Sequence, residues 1–199
     1  MLANICLHHL LDEWFDENHS ESGEFIRYAD DAVFVFRDEQ TANAFRALLT
    51  ARLKEAGLNL NLDKSGVVPF TAKAPAGFVS FLGFDFYWGR NANGERALKL
   101  KTSSKRLNRC MKAFTDWIKE HRNMKRTMVL WLEAAAKLRG HFDYFGVLFN
   151  RPKLAQYYYT CIKSLFRWLN RRSQKRSFTW EQFNRKLWFN PLPKPPSGD

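Results

Sequence analysis

The sequence predicts an α+β chain: a mixed region of helix, β-hairpin and small antiparallel sheet over residues 1–101, then an all-α bundle over 102–190. Three observations lead there. Strand-forming runs and turn signals crowd the first hundred residues. From Thr102 the apolar period becomes helical. The charge changes sign between the halves: residues 1–100 carry 10 Lys and Arg against 14 Asp and Glu, while residues 101–199 carry 22 against 6.

The opening segment reads as a helix from its first residue. Leu2, Ile5, Leu10, Leu11, Trp14 and Phe15 supply apolar positions, and no Ser, Thr, Asp or Asn precedes them as a cap. Next, "RYADDAVFVF" places Asp30 and Asp31 between aromatic and β-branched runs, which predicts a hairpin with strands at 25–28 and 32–36 and the acids at its tight turn. Asp is a common turn residue. Two adjacent carboxylates also repel, so the pair is comfortable where water or a hard cation such as Mg²⁺ meets it. "EQTANAFRALLTARLKEAG" spaces Phe45, Leu48, Leu49 and Leu53 as a helix that stops on Gly57. The alternation in "LNLNLD" predicts a strand over 58–63, with Leu58, Leu60 and Leu62 on one face. A short strand "GVVPF", a loop containing Pro75 and one long aromatic strand "FVSFLGFDFYW" follow. "NANG" at 91–94 then turns the chain back into "ERALKLK".

In the second half Leu107, Cys110, Met111, Phe114, Trp117 and Ile118 form one helical stripe, and a second helix runs from about Thr127 through "LRGHFDYFG". A third starts at Pro152, with Leu154, Tyr158, Cys161, Leu165 and Trp168 on one side and Lys163, Arg167 and Arg171 on the other. "NRRSQKRS" reads as a basic loop. Thr179 and Gln182 form a capping box for a short final helix through Leu187. Residues 191–199 read as a Pro-rich tail without the means to pack.

Composition narrows the classes of function. With 45% hydrophobic and 16% aromatic residues, the 199-residue chain can bury a core. A net charge of +12 and a pI near 9.8 favour a polyanionic partner, nucleic acid before an anionic membrane surface. Cys6, Cys110 and Cys161 are odd in number and far apart, which excludes a disulfide framework and fits a reducing, cytoplasmic compartment. Cys6, His8 and His9 share one apolar segment without further spaced ligands, so packing explains them better than zinc. "MLANICLHHLLDEWF" lacks a basic start and carries Asp12 and Glu13, unlike a signal peptide. No apolar run reaches the roughly 18 residues of a membrane span.

Four segments in order resemble the reverse transcriptases of group II introns, the intron-encoded maturases and their bacterial relatives. Tyr28, Ala29, Asp30 and Asp31 resemble that family's YxDD hairpin; Asp63, Lys64 and Ser65 of "GLNLNLDKS" resemble the next palm motif; "FLGF" at 81–84 resembles the primer grip; and "LRGHFDYFG" at 138–146 resembles the thumb, or maturase, signature. The resemblance implies the later part of a polymerase palm followed by a thumb, with RNA template or intron RNA, a DNA primer and dNTPs as partners. It implies Asp30 and Asp31 as Mg²⁺ ligands, Lys64 near the leaving phosphate, and Tyr28, Ala29, Phe81, Leu82 and Gly83 near substrate or primer. Phe81, Leu82 and Gly83 are equally defensible as sheet core, and Lys64 as a solvated lysine.

Nucleotidyl transfer uses two Mg²⁺ ions roughly 3.5–4 Å apart. The family's third carboxylate, its fingers and a PQGG-like segment would precede residue 1, so the expectation is an N-terminally incomplete site that a separate N-terminal half would complete. Asp85 is the least poor internal substitute. Lys105, Arg106, Arg109, Lys163, Arg167, Arg171, Arg172, Lys175 and Arg176 are the candidate phosphate contacts, and their alternative is an ordinary charged helical face weakened by the shortage of acids. Trp117, Trp131, Tyr144, Trp168 and Trp180 read as core first and base-stacking groups second. The competing functions are a non-catalytic, maturase-like RNA-binding module that assists splicing and, more weakly, a gene fragment without function.

Overall fold

The computed structural model describes residues 2–72, 77–172 and 178–196. The chain divides into two compact units, Met1–Leu82 with Tyr87–Arg96, and Gly83–Phe86 with Ala97–Asp199. The division takes four residues of the aromatic strand region and most of the following strand into the helical unit, where the sequence placed its boundary after residue 101.

In the first unit the opening helix forms, though not as one regular rod: α1 (Leu2–Leu7) passes through a π-helical turn (His8–Asp12) into α2 (Glu13–Asn18). The wider turn changes the helical phase. Leu11 and Phe15 are buried and Trp14 packs against them, whereas Leu2 and Ile5, read as part of the same stripe, are exposed. Arg52 Nε donates to the Leu10 carbonyl within the π-turn at 2.7 Å, and its guanidinium lies 4.9 Å from the Trp14 ring centre.

Strands β1 (Gly23–Tyr28) and β2 (Asp31–Phe36) pair antiparallel from Gly23 opposite Phe36 to Tyr28 opposite Asp31. Phe25 and Phe34 face each other across the ladder and stack with centroids 5.4 Å apart. Phe15 lies against both, at 4.7 and 5.6 Å, and edge-on to Phe45 of α3 (Glu39–Glu55) at 5.5 Å. The aromatic spacing in the sequence thus becomes a small core closed by α2, the hairpin and α3. Asp38 caps α3 by accepting from the Thr41 N–H at 2.8 Å. Gly57, with φ of 74°, ends it, and the Gly57 and Leu58 amides return to the Lys54 and Leu53 carbonyls.

That helix stop removes a predicted strand. The Leu58 N–H is taken by the cap, the Asn61 carbonyl accepts from Lys64 and Ser65 in a turn, and no ladder among the described residues includes 58–63 or 66–70. Alternating leucines need a pairing partner as well as a pattern. The single long strand is also corrected: it folds as β3 (Val79–Phe81) and β4 (Phe84–Arg90), joined at Leu82 and Gly83, both at positive φ, as a tight hairpin demands. β5 (Arg96–Thr102) completes the order β3-β4-β5. Asn91 Oδ1 accepts from the Asn93 and Glu95 amides and shapes the predicted "NANG" turn. Residues 73–76 of the predicted Pro75 loop lie outside the described residues.

The second unit contains α4 (Ser104–His121), α5 (Thr127–Phe145), α6 (Arg151–Leu169) and α7 (Trp180–Phe189). Leu107, Phe114 and Ile118 of α4, Leu130, Ala134 and Leu138 of α5, and Leu154, Cys161 and Leu165 of α6 build one core that also buries Phe183 of α7. Asn150 is fully buried between helices. Its Nδ2 donates to the Phe145 carbonyl and to Thr102 Oγ1, and its Oδ1 accepts from the Thr102 N–H at 2.7 Å. The predicted capping box is present, with Gln182 N–H donating to Thr179 Oγ1 and Thr179 N–H to Gln182 Oε1. The described part of the Pro-rich tail departs from expectation, because Leu192 is 2% exposed in the core and Trp131 Nε1 donates to the Asn190 carbonyl at 3.0 Å. Among the described residues no helix is long and apolar enough to cross a membrane.

Candidate functional site

The hairpin of the first unit carries its two acids at the tip. Tyr28 and Asp31 close the ladder, Ala29 and Asp30 form the two-residue turn, and all four side chains are exposed. The turn uses Ala29 at φ 55°, a left-handed conformation that an L-residue adopts at a cost of roughly 1–2 kcal/mol. Neighbouring chemistry holds it there. Arg27 Nη1 donates to the Ala29 carbonyl at 2.8 Å, while its Nε and Nη2 grip the two Asp12 oxygens at 2.6 and 2.5 Å. The Arg27 hydrogen bonds hold the Asp12 carboxyl below its usual range, with partial burial opposing and His8 assisting.

Asp12 and Arg27 were not singled out from the sequence. They stand 15 positions apart, and nothing local in either neighbourhood marks the pair. The tip itself is legible in four letters. Neither Asp30 nor Asp31 has an ion-pair partner among the described residues, so the negative charge faces solvent. Hard carboxylate oxygens in this setting fit Mg²⁺ as ligands. Among the described residues, however, no group of three or more His, Cys, Asp or Glu is arranged to hold a metal ion.

Lys64 lies exposed in the turn after α3, and its ammonium makes no hydrogen bond or ion pair among the described residues. Phe81 and Leu82 are half-buried at the β3–β4 turn. Gly83 belongs to the helical unit: its carbonyl accepts from the Ser103 N–H at 2.9 Å, and a Cβ on it would stand 3.3 Å from Arg106 Cγ and 3.7 Å from Phe145 Cε1. Its φ of 83° in the hairpin turn accounts for that glycine, with the α4 and α5 side chains at contact distance around it. Asp85, the considered substitute for a third metal ligand, is 5% exposed within the helical unit.

In that unit Lys105, Arg106 and Arg109 are exposed along α4, and Lys163, Arg167 and Arg171 along and just beyond α6. Arg172 is also tied within the unit. Its Nη1 donates to Thr127 Oγ1 at 2.6 Å and its Nη2 to the Lys125 carbonyl at 2.9 Å, so its guanidinium fastens the start of α5. Lys175 and Arg176 lie outside the described residues. Behind the charged surface, His141 is buried and stacked on Tyr157 with centroids 3.6 Å apart. Burial first, and the Arg106 charge second, push its pKa down to about 4.

Most tryptophans named as possible stacking groups serve the core: Trp131 is buried, and Trp117 and Trp168 pack against it in part. Trp180 is the exception, at 43% exposure. Helical spacing alone does not distinguish it from the others. Comparison with known proteins adds no family to this geometry, since no protein-family model and no curated protein matches the sequence.

Proposed function

We propose that the chain is the palm-and-thumb portion of an RNA-directed DNA polymerase of the group II intron type, its active site needing a further carboxylate from outside the described residues. The observation that carries this reading is the solvent-facing Asp30–Asp31 pair on a turn kept in a strained shape by the Arg27 clamp. Positive φ at Ala29 is what a two-residue hairpin turn requires. The support for a functional tip is the two adjacent carboxylates that this turn leaves facing solvent without an ion-pair partner among the described residues. When bound, Mg²⁺ supplies activation of a primer hydroxyl and neutralisation of phosphate charge. Asp30 and Asp31 would hold it, and Arg27 fixes the backbone that presents them. Lys64 supplies a counter-charge in the same unit, and the exposed cations of α4 and α6 offer contacts for template, primer or intron RNA.

The second reading is a maturase-like module that binds RNA without polymerising. The observation that favours it is a basic helical unit with its own core. Primer extension separates the two. The chain alone is expected to give no product, while addition of a companion polypeptide bearing fingers and an aspartate-containing palm strand yields Mg²⁺-dependent synthesis that Asp30→Ala abolishes. Synthesis unaffected by Asp30→Ala would refute the role of that carboxylate. No synthesis with the companion, alongside retained RNA binding, would establish the second reading.

A further inference from the structure

We propose that the cleft between α6 and α7 holds an unpaired nucleotide of a nucleic-acid strand, its base on the free face of the Trp180 indole and its phosphate on Lys163, Arg167 and Arg171. The proposal deepens the nucleic-acid reading above and rests on it. The cleft measures about 400 Å³ and is lined by those four residues with Phe166 and Asn170. This size falls toward the small end of ligand clefts, about 300–1,000 Å³.

The aromatic floor is already built. Phe166 and Trp180 stack with centroids 3.7 Å apart and planes 16° from parallel, and Phe183 meets the Trp180 edge at 5.8 Å. Phe183 is completely buried, yet Trp180 keeps 43% of its surface in water. Phe166 occupies one indole face, and among the described residues no ring or cation stacks on the other. Trp180 is also the first residue of α7, directly after the Thr179–Gln182 capping box, so its backbone is fixed before a ligand arrives.

The cations are similarly prepared. Among the described residues no carboxylate pairs with Lys163, Arg167 or Arg171, and Glu181, beside Trp180, reaches Arg185 at 3.9 Å. The Arg171 guanidinium rests 5.1 Å from the Trp168 ring centre, a ring that Arg122 and Lys119 also approach at 4.8 and 5.8 Å. Three like charges around one indole favour an anion nearby. Asn170 spends its carbonyl oxygen on the Phe178 N–H at 2.6 Å, and its amide N–H groups make no hydrogen bond among the described residues. A duplex satisfies the cations but keeps its base faces stacked on one another. An unpaired base gains the indole as well.

Titration of the full chain with a short oligoadenylate and with an abasic oligomer of equal length, at one salt concentration, tests the proposal. The oligoadenylate is expected to bind about 5- to 100-fold more tightly. Trp180→Ala should erase that preference, and Trp180→Phe should keep most of it while losing part of the tryptophan quenching. Arg167→Ala, at an exposed position outside the core, should weaken both probes. Deoxy and ribo oligomers report which strand is preferred, and a base-dependent gain with either supports the cleft.

Equal affinity for the base-bearing and abasic probes would overturn the stacking site, as would a preference that survives Trp180→Ala with the fold intact by circular dichroism. In either case binding of structured RNA would leave the broader reading standing. A polyglutamate peptide that binds as tightly as oligoadenylate would replace the nucleotide with an acidic protein partner. Failure to bind any nucleic acid would remove both the cleft and the reading beneath it.

Discussion

The two units solve the same folding problem with different reserves. The hairpin unit centres on one ring, Phe15, which touches Phe25, Phe34 and Phe45, and leaves the outer hairpin face in water, with Ile26, Tyr28 and Val35 each more than 60% exposed. The helical unit distributes its core over four helices and a tail, and buries Leu130, Leu138, Cys161 and Leu165 completely. Small cores concentrate their stability in few side chains, while larger ones spread it. The exposed acids sit on the unit with less in reserve, and the cations on the unit with more.

The sharpest way to break this comparison is to remove its central ring. Phe15→Ala should cost about 3–5 kcal/mol, enough to unfold the hairpin unit in a protein of ordinary stability. Hydrogen exchange read by segment should show protection lost over 23–36 and 39–55 and kept over 104–169. Equal loss in both regions would mean that the units do not unfold separately.

Acid should sharpen the contrast next, because the units lose stability in different pH windows. His141 is neutral when folded and its pKa is depressed to about 4, so between its ordinary value of 6.5 and about 4 the unfolded chain binds a proton that the folded chain refuses. Stability of the helical unit is therefore full above pH 6.5 and falls as pH drops through that interval. At pH 5 the loss is about 2 kcal/mol. Asp12 is also depressed, but as an acid: its contribution is present above the ordinary carboxylate value of 3.8 and is lost as pH falls through its lower folded pKa. Urea unfolding at pH 7 and pH 5 should weaken the helical unit first. His141→Phe, which preserves a flat ring against Tyr157, should remove most of that difference. An undiminished pH dependence in this variant would assign the effect to another group.

The same contrast governs what could be read in advance. Features made by neighbours in sequence were legible: the Thr179 cap, the Gly57 stop, the acid-tipped hairpin and the apolar stripe of α4. Features made by distant residues were not. Leu192 reaches the core from a Pro-rich segment, Asn150 holds Thr102 across 48 positions, and Arg172 reaches Lys125 and Thr127 across the helical unit. The failed strand at 58–63 is instructive, since its period was right. A local cap took the first amide, and no partner strand lies beside it among the described residues. At the site the two aspartates announced themselves, whereas the clamp that shapes their turn is visible only in three dimensions.

That clamp yields the smallest expected effect and the most specific one. Ala29 occupies a left-handed conformation that glycine adopts freely, so Ala29→Gly relieves local strain while adding freedom to the unfolded chain. The two contributions oppose each other, and the net gain should stay below about 1 kcal/mol. Arg27 now offsets part of the strain by bonding the Ala29 carbonyl. In an Arg27→Met background, which removes the guanidinium but keeps a long apolar stem, the strain is no longer offset and the glycine should help more. A double-mutant cycle on urea unfolding of the hairpin unit isolates this coupling. A glycine gain of the same size in both backgrounds would show that Arg27 serves Asp12 alone and leaves the acid-bearing turn to hold its own shape.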